Sequence, residues 1–153
     1  VCSSDLMYEP TINYLAVLVS AVIFFIIGGL WYSPVMFAKP WIKGMGLTDE
    51  QLKAMKDHGP GTKPFIISFI GGLVMAFVTA HMVDFMKVVF DGSGMSNLTI
   101  GLTAAFWLWL GYIATYSLNT VAYEDKSWQF YFINTGYQFV GLMIMGAMNA
   151  VWI

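Results

Sequence analysis

The chain has 153 residues, of which 58% are hydrophobic and 10% are charged. Soluble domains carry about 25% charged residues, so this composition predicts an integral membrane protein. Seven lysines, no arginine and nine acidic residues give a net charge of −2 without a basic stripe, which excludes nucleic acid as a partner. The lone cysteine, Cys2, excludes an intrachain disulfide and a thiolate metal cage.

The opening residues, Val1 to Leu6, resemble a translated adapter scar. We therefore expect the natural chain to begin near Met7 and residues 1–7 to be non-native or disordered. Residues 8–153 are predicted to form a single integral membrane domain.

Four runs without a charged residue define the predicted membrane spans, and they cover residues 10–38, 64–83, 98–123 and 127–153. Within these runs the sequence predicts an all-α bundle of four transmembrane helices, at about 12–33, 65–86, 98–118 and 131–152. At about 1.5 Å per residue each helix is long enough for a hydrocarbon core of about 30 Å. A spanning run must be helical because the bilayer offers no water to backbone groups.

The loop after the first span is predicted to contain a short amphipathic helix. Pro34 ends the first span. Thr48 and Gln51 form a capping box for the short helix, which ends before the Gly-Pro-Gly at 59–61. The preceding aromatic and basic residues suit the headgroup layer, so the candidate contacts to a lipid or a partner are Lys39, Trp41 and Lys43.

The lysine distribution predicts the orientation of the bundle. Six of the seven lysines fall in the loops 34–64 and 119–130, whereas only Lys87 lies on the opposite side. By the positive-inside rule both loops face the cytoplasm and both termini lie outside.

Residues around the first span resemble a known family. Asn13-Tyr14-Leu15-Ala16 begin the helix, and Gly28-Gly29-Leu30-Trp31-Tyr32-Ser33-Pro34 end it. Phe37, Lys39, Trp41 and Gly46 follow it. This pattern resembles domain of unknown function 1761, a group of small, mostly bacterial, four-helix membrane proteins. The resemblance covers about residues 12–152. It implies the fold and a location in the bacterial cytoplasmic (inner) membrane, and it implies no activity.

His81 and Asp84 on the second predicted span form a candidate ionisable site, because ionisable groups inside a membrane are costly. They lie three residues apart on one helical face, and Asn13 and Asn149 are predicted at the same outer depth. The pair could relay protons or hold a cation. The alternative is an end-of-helix pair that reaches interfacial water. One histidine and one carboxylate are too few ligands for a metal site, so no metal and no other cofactor is expected.

Two uncharged polar stripes are predicted to face each other toward the cytoplasmic side. The third span contributes Tyr112, Tyr116 and Asn119, and the fourth contributes Asn134 and Gln138. They could line a cavity for a small molecule. The alternative is a set of interhelical hydrogen bonds that holds the bundle together.

Three functional hypotheses follow. The favoured one is a non-enzymatic membrane protein that transports or binds a small molecule, as a homo-oligomer in the lipid bilayer. The alternative is a structural or accessory subunit that docks a partner or lipid through the cytoplasmic loop. An intramembrane enzyme that uses His81 and Asp84 is least favoured, because no nucleophile has a base at a defined spacing.

Overall fold

The computed structural model describes residues 8–59 and 61–152, so the prediction for residues 1–7 lies outside the described residues. All regular secondary-structure elements within these ranges are helices. They are α1 (Tyr14–Trp31), α2 (Ala38–Met45), α3 (Asp49–His58), α4 (Lys63–Val89), α5 (Asn97–Leu108), α6 (Thr115–Ala122) and α7 (Trp128–Val151). A π-helical turn at Trp109–Ala114 joins α5 to α6.

Three helical stretches are long and apolar enough to cross a membrane. They are Tyr14–Trp31, Lys63–Val89 and the continuous stretch Asn97–Ala122. The fourth predicted span corresponds to α7, which has 24 residues but is not among the three. Its amides and hydroxyls lower its mean hydropathy, so length and composition identify three candidate spans where the sequence pattern predicted four.

Side-chain caps explain where several helices begin. The Asn13 side chain accepts hydrogen bonds from the backbone N–H groups of Leu15 and Ala16, at 3.0 and 3.1 Å. Thr48 and Gln51 form the predicted capping box in front of α3. These caps satisfy backbone donors that have no partner within the helix. The short helix between the first two spans is therefore confirmed, and α2 precedes it as a separate helix of eight residues.

Helix α7 lies at the centre of the bundle, in contact with α1, α2, α4, α5, α6 and the π turn. Glycines bring it close to its neighbours. A Cβ atom on Gly101 of α5 would overlap the carbonyl oxygen of Gly146, and a Cβ atom on Gly141 would overlap the ring of Phe24 on α1. The core is therefore packed through backbone contacts, which leaves little free space between α1, α5 and α7.

The two lysine-bearing loops lie at the same end of the bundle. Lys126 Nζ donates a hydrogen bond to the carbonyl oxygen of Met45 at 2.6 Å. Trp41 of α2 stacks on Phe130 of α7 with a ring-centroid distance of 6.4 Å. At the opposite end, Lys87 Nζ donates to the carbonyl oxygen of Asn149 at 3.4 Å. The six lysines of the two loops therefore lie at one end of the fold, and Lys87 lies at the other.

Candidate functional site

Hydrogen bonds from aromatic side chains join the end of α1 and Trp41 of α2 to α7. We call the donors and their acceptors the α7 seam (Trp31, Tyr32, Trp41, Ile133 and Asn134). Asn134 Oδ1 accepts hydrogen bonds from the Tyr32 hydroxyl at 2.7 Å and from Trp41 Nε1 at 3.1 Å. Trp31 Nε1 donates to the carbonyl oxygen of Ile133 at 3.0 Å. An amide oxygen has two lone pairs, so Asn134 satisfies both donors at once. Trp31 and Tyr32 therefore hold the end of α1 against α7.

The candidate lipid or partner loop divides into an inner and an outer part. Trp41 is partly buried within the α7 seam, whereas Lys39 and Lys43 are exposed. The two lysines lie four residues apart on α2 and therefore share its outer face. Of the three residues singled out in this loop, the two lysines are therefore the exposed ones.

Gln138 lies one helical turn beyond Asn134 on the same stripe of α7. Its Oε1 atom is buried and has no hydrogen-bond partner within the described residues. A buried acceptor without a donor loses its hydration without compensation. The two amides of this stripe therefore differ sharply, because Asn134 is fully bonded at its oxygen and Gln138 is not.

The stripe on the third span does not face the stripe on α7. Tyr112 and Tyr116 are 74% and 77% exposed, and Asn119 is exposed as well. The residues that bond α7 are others: Trp109 Nε1 donates to the carbonyl oxygen of Thr135 at 2.8 Å, and the Tyr131 hydroxyl donates to that of Ala114 at 2.9 Å. Tyr112, Tyr116 and Asn119 share one face of the helix, as their spacing predicts, but that face points outward instead of toward α7.

His81 and Asp84 bond to different partners instead of each other. Asp84 Oδ2 accepts hydrogen bonds from the Tyr8 hydroxyl at 2.7 Å and from the Thr11 backbone N–H at 3.0 Å. His81 Nδ1 lies 2.8 Å from the carbonyl oxygen of Phe77, and the two rings are 4.3 Å apart. Asp84 therefore anchors the segment before α1. Partial burial, together with the hydrogen bond to Asp84 and its charge, raises the pKa of Tyr8 to about 12.

Asn13 and Asn149 do not join the His81 and Asp84 side chains either. Asn13 caps α1, as described above. Asn149 Nδ2 donates to the carbonyl oxygen of Met145 at 2.8 Å and to Ser20 Oγ at 3.4 Å. Within residues 8–59 and 61–152 no group of three or more His, Cys, Asp or Glu side chains is placed to hold a metal ion.

One feature with the dimensions of a ligand site is a cleft of about 420 Å³ between α4 and the π turn, which we call the α4–π cleft. Its walls include Val78 and Met82 of α4, Leu108 and Tyr112 opposite them, and Leu142 of α7 at the back. It forms because α4 packs against α5, whereas the π turn and α6 pack against α7. Its lining is mainly apolar, and Thr79 and Tyr112 are its polar residues.

The family comparison covers most of the chain. The model of the family described as "Protein of unknown function (DUF1761)" matches residues 15–149. The chain belongs to the DUF1761 family. The match confirms the resemblance seen in the first span, and the name carries no activity. No match is found among curated proteins or solved structures.

A second cleft of this DUF1761 protein lies at the lysine-bearing end, with a volume of about 530 Å³. Trp31, Phe37 and Pro40 form one side, and Gln129 and Phe132 of α7 form the other. The sequence singled out none of these five as candidate site residues, although Trp31 and Phe37 belong to the family pattern.

None of the four residues His81, Asp84, Asn134 and Gln138 lines either cleft. Of the candidate site residues that the sequence singled out, Tyr112 alone lines a cleft, the α4–π cleft, and the other lining residues are mainly apolar. Nothing in an apolar run distinguishes Val78 or Leu108 from the other valines and leucines that face outward, so no sequence signal could have found them.

Proposed function

We propose that this DUF1761 protein is a multi-pass protein of the bacterial cytoplasmic membrane that binds a small, mainly apolar molecule in the α4–π cleft without chemically changing it. The observation that carries this proposal is the cleft itself, which lies between two of the three helical stretches that could cross a membrane. Its volume of about 420 Å³ falls within the range of ordinary ligand pockets. A ligand would reach it sideways from the bilayer.

Under this proposal α7 is the fourth span. Its 24 residues would extend about 36 Å at 1.5 Å per residue, which exceeds the hydrocarbon thickness. Its low hydropathy is compatible with crossing, because Asn134, Thr135 and Asn149 bond inside the bundle and α7 is surrounded by the other helices. Polar groups that find partners within a bundle are tolerated at membrane depth. The lysine-bearing end then faces the cytoplasm and both termini lie outside.

Several contacts favour binding over transport or catalysis. The close approach of Gly101 and Gly146 and the fit of Phe24 against Gly141 fill the centre of the bundle, where a transport path through one chain would have to run. His81 and Asp84, which the sequence offered as a proton relay or a catalytic pair, bond to structural partners. The cleft opens on the side of the bundle, which suits retention of a molecule from the bilayer.

The exposed Lys39 and Lys43 favour a second candidate function, docking to anionic lipid headgroups at the cytoplasmic surface. Lys39→Gln/Lys43→Gln should weaken binding to anionic vesicles more than the matched control Lys53→Gln/Lys56→Gln on α3, which removes the same charge. Equal weakening by both pairs would contradict a specific role for α2.

Photolabelling tests the ligand proposal. Val78 and Val74 are exposed valines one turn apart on α4, 45% and 58% exposed, but only Val78 lines the cleft. A long-chain alcohol with a mid-chain diazirine should label cleft residues of the wild type in lipid nanodiscs. Val78→Trp should block this labelling because the indole fills the cleft, and Val74→Trp should not.

Equal labelling of the two tryptophan variants would contradict the proposed site. So would labelling of the wild type that is spread evenly over all lipid-facing residues, or that an excess of unlabelled alcohol does not reduce.

A further inference from the structure

The outward face of the π turn and α6 carries polar-tipped side chains at membrane depth. This tyrosine stripe consists of Tyr112, Tyr116 and Asn119. Tyr112 and Tyr116 are about three-quarters exposed, and neither hydroxyl has a hydrogen bond within the part of the chain that the structure describes. The stripe belongs to Asn97–Ala122, one of the stretches apolar enough to cross a membrane.

The depth of the stripe makes exposure to lipid unfavourable. Tyr116 lies six residues before the end of α6 and Tyr112 ten residues before it, which places them about 9 and 15 Å inside the helix end. Tyrosine is common at the membrane interface, where its hydroxyl meets water and headgroups. Tyr112 is too deep for its hydroxyl to do so. A hydroxyl in hydrocarbon without a partner is costly.

A second copy of the chain fits this stripe better than any other partner. Two copies inserted in the same orientation present the same residue at the same depth, so a two-fold axis along the membrane normal brings each stripe against itself. Hydroxyl and carboxamide groups both donate and accept hydrogen bonds, so Tyr can pair with Tyr and Asn with Asn.

The neighbouring surface permits close approach. Gly111 lies beside the stripe, and a Cβ atom built there would meet nothing within 4 Å, so the position is open to a partner helix. Thr115, also exposed, has its hydroxyl satisfied by a 2.7 Å bond to the carbonyl oxygen of Leu110 and presents its methyl group. Small residues at such positions are typical of helix contacts in membranes.

We propose that the protein forms a parallel homodimer through the tyrosine stripe of the π turn and α6. This inference rests on the membrane placement proposed above, but not on ligand binding in the α4–π cleft. Tyr112 belongs to both features, so the partner copy would cover the edge of the cleft on that side.

Cysteine cross-linking in membranes tests the interface. In a Cys2→Ser background, Tyr116→Cys should form disulfide-linked dimers on mild oxidation. Ile70→Cys is the matched control, because Ile70 is 54% exposed on α4 at a similar distance from the lysine-bearing end. It should remain monomeric. Equal cross-linking at both positions, or none at Tyr116→Cys, would overturn the proposal.

A second measurement removes the hydrogen bonds without adding a cysteine. Tyr116→Phe/Asn119→Leu should weaken dimerisation in liposomes, followed by energy transfer on dilution with lipid, by roughly threefold to tenfold, because polar contacts between membrane helices are of that strength. Tyr14→Phe removes a hydroxyl that is 69% exposed on α1 and should leave the dimer unchanged.

These outcomes separate the two proposals. A wild type that is monomeric in liposomes overturns the dimer and leaves the cleft labelling to be judged by itself. Recovery of the protein outside the membrane fraction would overturn both.

Discussion

The α7 seam and the tyrosine stripe use the same residue types in opposite ways. At the seam, Asn134 satisfies a tyrosine hydroxyl and an indole N–H from two other helices. On the stripe, Tyr112 and Tyr116 point outward, and their hydroxyls have no partner within the described residues. A polar side chain in an apolar helix therefore has no fixed role. It stabilises the fold where the chain supplies a partner, and it favours association where the chain supplies none.

The largest effect is expected where helices meet through backbone contacts. Gly146→Ala should destabilise the protein by about 1–3 kcal/mol, because the added methyl group overlaps the Gly101 carbonyl oxygen and Ala105. Unfolding of the purified protein in detergent measures it. Gly71→Ala is the matched control on α4, where a Cβ atom meets nothing within 4 Å. It should be neutral or stabilising by up to about 1 kcal/mol, since alanine is the better helix former. A larger loss from Gly71→Ala than from Gly146→Ala would contradict the packing described.

The next largest effect is expected for the two amides on one stripe of α7, Asn134 and Gln138. Asn134→Leu should cost about 1–3 kcal/mol, because Tyr32 and Trp41 lose their acceptor. Gln138→Met should be neutral or stabilising, because it removes a buried acceptor that has no donor among the described residues. The same unfolding experiment ranks the two variants. The opposite order would show that Gln138 is the amide that matters.

The helices could be predicted from sequence more completely than their contacts. The four charge-free runs place α1, α4, α5 with α6, and α7 within a few residues, because a long apolar run must satisfy its backbone bonds as a helix. The outward direction of the face with Tyr112 and Tyr116 could not be predicted, since helical spacing shows which residues share a face and not what that face packs against. The bond between Trp41 and Asn134 joins residues 93 positions apart, and only the folded chain brings them together.

A smaller effect is expected at the other end of the bundle, where Asp84 anchors the segment before α1. Asp84→Ala should speed hydrogen exchange at the Thr11 amide severalfold, because that amide loses its acceptor. His81→Ala should leave this exchange unchanged, since His81 bonds within its own helix. If His81→Ala accelerates exchange at Thr11 as much as Asp84→Ala does, the two residues act as a unit after all.

The smallest effect is a titration. The hydrogen bond to Asp84 requires a neutral Tyr8 phenol, whose pKa is raised from 10 to about 12. Its contribution to stability is therefore fully present below pH 10 and is lost as the pH rises through about 12. Difference absorbance of the wild type against Tyr8→Phe isolates this titration. Asp84→Ala should bring the pKa of Tyr8 back toward its ordinary value, and an unchanged pKa in that variant would contradict the contact.

Native mass spectrometry of the protein released from nanodiscs tests the proposed binding site most directly. With an unmodified long-chain alcohol added to the nanodiscs, we expect one bound molecule per chain on the wild type and on Val74→Trp, and none on Val78→Trp. Retention of the alcohol by Val78→Trp at the wild-type level, or its absence from the wild type, would contradict the assignment of the α4–π cleft as a ligand site.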